Sequence, residues 1–483
     1  MTETVNAAAA PAPQKAVPHG SSRMRWIGLA IAIVVGLVML ALPIPQGLTP
    51  TGHVVLAIIM FTVVLWVFGV MNNGATGILM MGLMIAAHVK PGVVLGAFAG
   101  GAFWILLCVV FYGLAMTKTG LARRISYYIL SIFPATYLGV QISFLVIGLL
   151  LSLGIPSNTV RVAIMVPIAW SMTKALGLGN RSGGSALIML TATEMSFIPG
   201  NTWIYGSLLG PLVEGLFRSQ NLSIGWGSFF LVCGLPNLVI CVLVVLVNRW
   251  IFKPDTPLNA TRDLVSENLK SLGKVTRHEF ITALVIVLSV VFWVTAGHLH
   301  NWPSFLVGMF ALAVFYLTGV VKDSDVGTGI PWMLLIFIGT AFGLADVVKE
   351  VKIADWLGNF LAPMVQHFTF STVVLLMVVV LAMFILRFID TTGFIAFAVL
   401  FLPIYDLLHK SGIPPLVLMG ALVLANTPFW IPYQNAWIAI GEGITEGQAF
   451  SPGQRAKSAT AYAVIVLVVV ALSVGYWKMV HLL

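Results

Sequence analysis

Charged side chains are scarce in this 483-residue sequence, at 8% of positions. A soluble protein carries roughly a quarter of its residues as charges and needs them on its surface to stay dispersed. Hydrophobic residues instead make up 59% of the chain, and the mean hydropathy is +1.02. The scarcity excludes an ordinary soluble protein. It predicts an all-α polytopic membrane protein, because lipid forces each backbone polar group to be bonded within the protein.

Catalytic and redox motifs are also missing. The three cysteines (Cys108, Cys233 and Cys241) lie in apolar runs with neither CxxC nor metal-ligand spacing, as small buried hydrophobes do. The histidines lie near span ends or in loops without HExxH spacing, and no Walker or dinucleotide-binding glycine pattern occurs. The sequence therefore predicts neither an enzyme nor an organic cofactor.

The net charge of +9 has a topological explanation. Basic residues lie between the apolar runs, where they orient a membrane protein, so we predict no nucleic-acid partner. Residues 1–24 have no apolar core of a signal peptide and are predicted to form a disordered cytoplasmic tail. Residues 253–277, rich in Lys and Arg, are predicted to link two halves on the cytoplasmic side. We expect a bacterial inner membrane protein with its C-terminus outside.

About eleven apolar runs are long enough to span a bilayer, which takes ~20 residues each. Two longer apolar regions, 136–176 and 367–408, are each interrupted near the centre by a polar triplet. The triplets are Ser157-Asn158-Thr159 and Asp390-Thr391-Thr392. A helix that enters the membrane, turns at the midplane and returns to the same side gives this pattern. We therefore predict two re-entrant helical hairpins.

The two halves of the chain repeat. Asp390 lies 233 positions after Ser157, and Pro432 lies 233 positions after Pro199. An odd number of spans per unit makes the units, 25–252 and 278–483, inverted copies of each other. Inverted repeats with interrupted helices at the midplane are the architecture of secondary transporters.

The polar interruptions have a functional and a purely structural interpretation. Hydroxyl and amide oxygens at a hairpin tip suit Na⁺, and free N–H groups at a helix start suit an anion. The alternative is that Ser157 and Thr159 bond only to their own helix; the matching triplet favours a site. The segments 191–206 and 424–441 each carry a proline that exposes a carbonyl. We expect these spans to break opposite the tips, the alternative being an ordinary proline kink.

KTGLARRI before the first hairpin, SNT at its tip and Pro-Asn elements in the following span resemble the divalent-anion:sodium symporter (DASS) family of the ion transporter superfamily. The likeness covers nearly the whole chain after the tail. It implies Na⁺ ions at the two tips with a di- or tricarboxylate or sulfate between them. It also implies a homodimer in which a transport domain moves like an elevator against a scaffold domain.

The candidate site residues follow from the resemblance and from the charges at membrane depth. The substrate-binding candidates are Asn158, Thr159, Arg161, Asn201, Thr202, Arg387, Thr391, Thr392 and Thr427. The cation-binding candidates are Ser157, Asn158, Pro199, Gly200, Asp390, Thr392 and Asn426.

The chain departs from the family where Asp390-Thr391-Thr392 replaces a second SNT. A carboxylate can bind Na⁺ or take up a proton, so Glu194 and Asp390 are candidates for proton coupling. An ionisable residue inside the membrane is costly, so a functional role is the first hypothesis for it. Arg387 either contacts an anionic substrate or neutralises Asp390 three residues away.

These features predict a secondary active transporter of small organic anions (di- or tricarboxylates, sulfonate or sulfate). It is coupled to Na⁺ or H⁺ or works as an exchanger. The rival is a cation/proton antiporter or arsenite exporter of the same superfamily, which requires paired intramembrane carboxylates and no anion pocket. Arg161 and Arg387 favour an anion.

Overall fold

The computed structural model describes residues 22–254, 258, 261–296, 299–353, 355–356, 371–388, 390, 393–394, 396–397, 400–401, 405 and 413–483. In these residues the regular structure is helical, apart from one isolated bridge between Ala296 and His300. The fold is therefore all-α, as the sequence predicts. Thr391 and Thr392 lie outside the described residues, as do the tail and much of the predicted second hairpin.

The first half contains thirteen described α-helices. They are α1 Ser22–Ala41, α2 Pro50–Val67, α3 Asn73–Ala86, α4 Pro91–Val94, α5 Gly96–Ala99, α6 Gly101–Thr119, α7 Leu121–Ile132, α8 Tyr137–Gly154, α9 Asn158–Ala175, α10 Gly183–Phe197, α11 Leu209–Ser219, α12 Trp226–Phe229 and α13 Leu235–Ile251. A 3₁₀ turn, Ile198–Asn201, follows α10, and a π turn, Phe230–Gly234, joins α12 to α13.

The described residues after the first half add nine more α-helices, of which the first lies in the segment 253–277. They are α14 Thr261–Ser271, α15 Arg277–Thr295, α16 Ser304–Leu317, α17 Asp323–Gly329, α18 Trp332–Glu350, α19 Thr372–Leu386, α20 Pro415–Leu424, α21 Ala436–Ile444 and α22 Pro452–Met479. A 3₁₀ turn, Pro432–Gln434, lies between α20 and α21.

Eight helical segments of the described chain are long and apolar enough to cross a membrane, and four more are apolar but shorter. The chain is thus a polytopic membrane protein. The expected number of eleven full spans stays a prediction, because the shorter apolar helices do not decide it.

Short polar residues start many of these helices. The side chains of Thr49, Asn72, Thr136 and Ser182 each accept a hydrogen bond from a backbone N–H of the first turn of α2, α3, α8 and α10. Such caps satisfy donors that the helix itself leaves unpaired. They explain how helices with so few charges have defined starting points.

Burial separates a peripheral helix from a central one. Large side chains of α1 such as Trp26 and Leu37 are exposed, at 70% and 61%, as expected of a surface in contact with lipid. In α10, by contrast, every residue from Gly184 to Phe197 is buried. Helix α10 packs against α8, α9, α13 and α22, so it lies at the centre of this part of the molecule.

The first predicted hairpin corresponds to α8 and α9, which are separated only by residues 155–157. Both helices pack against α10. The helix that begins at Gly183 stops at Phe197, and the one that begins at Pro415 stops at Leu424. Pro199 and Pro432 each lie at the start of a 3₁₀ turn after these stops. That the hairpins are re-entrant and the halves inverted stays a prediction.

Candidate functional site

A cavity of about 110 Å³ lies where the first tip meets the two interrupted segments. Its lining combines helix-start residues, polar side chains from the two breaks and five large apolar residues. The lining residues are Pro156, Ser157, Asn158, Thr159, Asn201, Ser207, Leu208, Leu209, Leu334, Phe394, Asn426, Thr427, Ala436 and Trp437. Sequence reasoning did not identify Ser207, which follows a proline-containing break, and that break is the signal that could have indicated it.

A larger, open groove of about 590 Å³ lies elsewhere, between α13 and α22. Its lining is almost entirely apolar and includes Trp250, Val464 and Ile465. An apolar groove on the outer surface of a membrane protein suits lipid chains. The smaller cavity is the candidate site because polar groups converge in it.

The first tip presents the start of α9 to the cavity. Ser157 is the N-cap of α9, with its hydroxyl oxygen 3.4 Å from the amide nitrogen of Val160. Ser157, Asn158 and Thr159 all line the cavity. The N-terminus of a helix carries a partial positive charge and free N–H donors. This end of the cavity therefore favours an anion.

Arg161 is fully buried behind this tip and does not line the cavity. Its Nε donates to the carbonyl of Ser196 at 2.7 Å, and its Nη1 donates to the carbonyl of Gly206 at 2.8 Å. Nη1 also donates to the carbonyl of Ile155, and Nη2 donates to Oδ1 of Asn158. In this conformation these bonds direct the guanidinium to the tip and the first break rather than to the cavity, and the substrate-binding role of Arg161 stays a prediction.

Gly200 lies against the same guanidinium. A Cβ atom at this position would be 2.5 Å from Nη2 of Arg161 and 3.0 Å from Oδ1 of Asn158. Only glycine allows the break to approach the tip this closely. Because Gly200 has no side chain, the first break can pack directly against the tip, where Arg161 covers the glycine.

The two interrupted segments are joined directly. Asn201 lines the cavity and its Nδ2 donates to the carbonyl of Val423, near the end of α20, at 3.0 Å. Thr427 lines the cavity from the other half, and its hydroxyl lies 2.6 Å from the hydroxyl of Tyr462. Asn201 and Thr427 therefore line the same cavity, although they lie far apart in the sequence.

Thr202 is held away from the cavity by α13. Nδ2 of Asn237 donates to Oγ1 of Thr202 and to the carbonyl of Ile198, both at 2.9 Å. Asn237 is buried, and sequence reasoning missed it. A lone amide within the apolar run of α13 was the available signal.

The described residues of the second tip are bonded differently from those of the first. Oδ2 of Asp390 accepts the backbone N–H of Ala396, six residues later, at 2.9 Å. Nη1 of Arg387 donates to the backbone carbonyl of Asp390. The Nε and Nη2 atoms of Arg387 are buried and have no hydrogen-bond partner in the described part of the chain.

Glycine is required at this tip too. Gly393 has φ = +81°, in the left-handed region, and a Cβ atom there would collide with the side chain of Asn426. Asn426 lines the cavity, and its Oδ1 is buried without a hydrogen-bond partner among the described residues. An unpaired buried oxygen is costly and favours a ligand that it can coordinate.

Comparison with known proteins identifies the family. The model of the sodium:sulfate symporter transmembrane region matches residues 23–483. The chain belongs to this family. The resemblance to the DASS symporters is thereby confirmed, and the protein is a transporter and not an enzyme.

Relatives of this sodium:sulfate symporter family protein include named transporters. The putative malate transporter YflS of Bacillus subtilis is 25% identical over 72% of this chain and 74% of its own length. The sodium-dependent dicarboxylate transporter SdcS of Staphylococcus saprophyticus is 24% identical over 84% of this chain and 83% of its own length.

A solved structure shares the fold. The crystal structure of the Alcanivorax borkumensis YdaH transporter covers 94% of this chain and 97% of its own, with a TM-score of 0.56 and 13% identity. At that identity the likeness concerns the fold alone. It supports the all-helical architecture of this family member.

Within this symporter-family protein, six of the candidate residues come together around the cavity: Ser157, Asn158, Thr159, Asn201, Asn426 and Thr427. The remaining described candidates lie outside its lining: Arg161, Glu194, Pro199, Gly200, Thr202, Arg387 and Asp390. Of these, Arg161 and Gly200 support the first tip, and Arg387 and Asp390 form part of the second.

Glu194 lies in a separate polar cluster. The carboxyl group is fully buried in α10, with Oε2 2.6 Å from Nδ2 of Asn248 and Oε1 2.5 Å from Oγ of Ser458. Oγ of Ser458 is also 2.7 Å from Oδ1 of Asn248. Sequence reasoning singled out Glu194 but not its partners, which come from α13 and α22.

Proposed function

We propose that this protein carries small organic anions of the dicarboxylate class across the bilayer, coupled to a cation. The substrate binds in the cavity between the first tip and the two interrupted segments. The relatives named as malate and sodium-dependent dicarboxylate transporters support this substrate class and favour Na⁺ as the coupling ion. The family resemblance supports a homodimer with elevator-type alternating access as part of the same proposal.

The size of the cavity limits the substrate. Typical sites for drug-sized ligands measure about 300–1,000 Å³, and this cavity measures about 110 Å³. In this conformation it accommodates a small ion or a few water molecules, which occupy about 30 Å³ each in the liquid. Small carboxylates fit this scale better than bulky anions.

The described lining of the cavity has no charged side chain, and this observation supports the coupling of anion transport to a cation. Its polar side chains are Ser, Asn and Thr, and none of the lining residues described is ionisable. Burying an uncompensated carboxylate in such a space is very costly. The N-terminus of α9 supplies the equivalent of roughly half a positive charge. A cation that binds together with the anion supplies what the protein lacks.

Neutral oxygens are available for that cation. Ser157 contributes a side-chain oxygen at the first tip, where Oδ1 of Asn158 is already held by Arg161, and Asn426 contributes an oxygen without a partner in the described chain. Broken helices in transporters also offer free carbonyls to Na⁺, and α20 ends at Leu424, just before Asn426. We therefore place one cation at the first tip and another beside Asn426.

The rival antiporter interpretation is less well supported. It needs paired carboxylates at the ion site, yet neither Glu194 nor Asp390 is among the residues that line the cavity. A purely proton-driven exchange at this cavity would have no acidic group to work with in the described lining.

Uptake into proteoliposomes tests the proposal. Radiolabelled malate or succinate should accumulate when an inward Na⁺ gradient is imposed, and uptake should fall at least tenfold when K⁺ replaces Na⁺. Asn426→Ala should raise the Na⁺ concentration for half-maximal uptake about tenfold, because a cation ligand is lost. Asn301→Ala, at an exposed loop position, is the matched control and should behave like the unmodified protein.

Two results would contradict different parts of the proposal. Equal uptake in Na⁺ and K⁺ would exclude sodium coupling while leaving the substrate class intact. Failure of dicarboxylates both to accumulate and to support counterflow would exclude the substrate class itself.

A further inference from the structure

The cluster of Glu194, Asn248 and Ser458 joins three helices in a sealed part of the protein. Glu194 is 0% exposed, and Asn248 and Ser458 are each 1% exposed. The three side chains form a closed ring of short contacts, at 2.6 Å, 2.5 Å and 2.7 Å. The first residue lies on α10, the second on α13 and the third on α22. The ring does not contribute to the cavity lining.

The number of protons in the ring determines whether Glu194 is ionised or neutral. Each of the three contacts joins nitrogen or oxygen atoms at hydrogen-bond distance, so each needs one proton between its two atoms. The amide of Asn248 supplies the proton in its contact with Glu194. The hydroxyl of Ser458 has one proton, which serves either its contact with Glu194 or its contact with Asn248. An ionised carboxylate supplies none, and one contact would bring two bare oxygens together.

The orientation of the Asn248 amide does not change this result. If its oxygen and nitrogen are exchanged, the nitrogen donates to Ser458 and Ser458 donates to Glu194. The amide oxygen then faces Oε2 of Glu194 at 2.6 Å. That contact again lacks a proton unless the carboxyl group provides it. Either assignment therefore needs a neutral carboxylic acid at position 194.

The surrounding charges do not compensate an ionised Glu194. In the described part of the chain Glu194 forms no ion pair. Arg249, next to Asn248 on α13, lies over the ring of Tyr137 from α8. Arg455, one turn before Ser458 on α22, pairs with Glu442 of α21. Lys457 is exposed.

Two further cations lie on α9, which packs against α10. Arg161 of α9 donates to the tip and the first break, including the carbonyl of Ser196. Lys174, at the end of α9, lies over the ring of Trp170 and donates to Asn180. A buried carboxylate without a cation is so costly that such groups take up a proton instead.

We propose that Glu194 is a proton-binding site whose bound proton clamps α10 to α13 and α22. The carboxyl group holds this proton at neutral pH in the present conformation and donates it around the ring. Loss of the proton would set two oxygens against each other, so the proton leaves only when the three helices separate. This inference concerns a site outside the transport cavity and does not depend on the proposed substrate or on sodium coupling.

Infrared difference spectroscopy of the purified protein tests the proposal directly. An exposed glutamate, with a pKa of about 4.3, is ionised at neutral pH, so a protonated carboxyl group stands out by its C=O stretching band. Glu194→Gln should remove one such band at neutral pH. Its melting temperature should stay close to that of the unmodified protein, because the glutamine amide donates to Ser458 and accepts from Asn248, completing the same ring.

Glu350→Gln is the matched control. Glu350 is exposed and pairs with Lys90 at 2.9 Å, so its substitution should remove carboxylate bands and leave the carboxylic acid band unchanged. If Glu194→Gln likewise removes only carboxylate bands, Glu194 is ionised and the proposal is wrong.

Ser458→Ala provides a second measurement should the glutamine variant not fold. It removes one partner of the carboxyl group, so the C=O band should persist and move to higher frequency. A spectrum in which that band neither moves nor changes in intensity would place the proton elsewhere and overturn the proposal.

Discussion

The arginines of the two tips are both fully buried, yet their hydrogen bonding differs. Arg161 donates to three backbone carbonyls and to Asn158, and so ties the first tip to the break after α10. Arg387 donates from Nη1 to the carbonyl of Asp390, and its Nε and Nη2 have no partner in the described chain. The first tip is a preassembled unit, whereas the second holds donors that are still available.

This difference predicts that Arg161 contributes mainly to the stability of the protein and Arg387 mainly to its function. A buried charge each of whose nitrogens donates a hydrogen bond is held in place by the fold, and its removal leaves several buried acceptors unpaired. A buried charge with unused donors costs free energy in this conformation. A protein retains such a costly buried charge where the unused donors bind a ligand or find partners in another conformation. We therefore expect opposite thermal effects from matching substitutions at the two tips.

The largest effect is expected from Arg161→Met. The substitution would leave the carbonyls of Ser196 and Gly206 and Oδ1 of Asn158 without a donor. Each unsatisfied buried group costs roughly 1–3 kcal/mol, so the free energy of unfolding should fall by about 3 kcal/mol or more. Thermal denaturation in detergent measures this, and uptake should be abolished.

Arg123→Met is the control for this substitution. Arg123 is exposed on α7, over the ring of Tyr127, and its loss should change the melting temperature little. An Arg161→Met protein that melts together with this control would show that the first tip is not held as described.

Arg387→Met should give the intermediate effect and sharpen the comparison. A buried charge with unused donors costs free energy in this conformation, so an apolar side chain of similar volume should be tolerated at this position. The melting temperature should therefore stay the same or rise, while dicarboxylate uptake falls at least tenfold because the free donors are lost. Destabilisation as large as that of Arg161→Met would remove the distinction between the tips.

The smallest effect is expected from Ser157→Ala, compared with Ser182→Ala. Both serines are N-caps, of α9 and α10, and each substitution should cost about 1 kcal/mol of stability. Only Ser157 lines the cavity. Its loss should raise the Na⁺ concentration for half-maximal uptake several-fold, and Ser182→Ala should leave it unchanged. Equal Na⁺ dependence in the two variants would mean that Ser157 is a helix cap and not a cation ligand.

The helices and the first tip could be predicted from local signals. The expected hairpin at 136–176 corresponds to helices Tyr137–Gly154 and Asn158–Ala175 because Pro156 and Ser157 stop one helix and start the next. The breaks after Phe197 and Leu424 follow from the prolines and amides in otherwise apolar runs. These features depend on neighbouring residues and are visible in the sequence.

The direction of side chains could not be predicted in the same way. Arg161 looked like a substrate contact because it follows the SNT triplet, but its donors point to carbonyls at the tip and in the first break. Thr202 follows Asn201 directly, yet Asn237 of α13 holds it away from the cavity. Which face a residue presents next to a break depends on the packing of distant helices.

By itself the sequence determined residence in the membrane, the helical class, the transporter family and the positions of the polar interruptions. These properties follow from hydropathy and short motifs, which are contained within single apolar runs of the chain. Tertiary structure alone decided that Arg161 supports the first tip and that Asn426 completes the cavity. It also brought Ser458 to Glu194 across 264 positions. Hydrogen bonds between distant helices form only when those helices pack, and no local pattern encodes them.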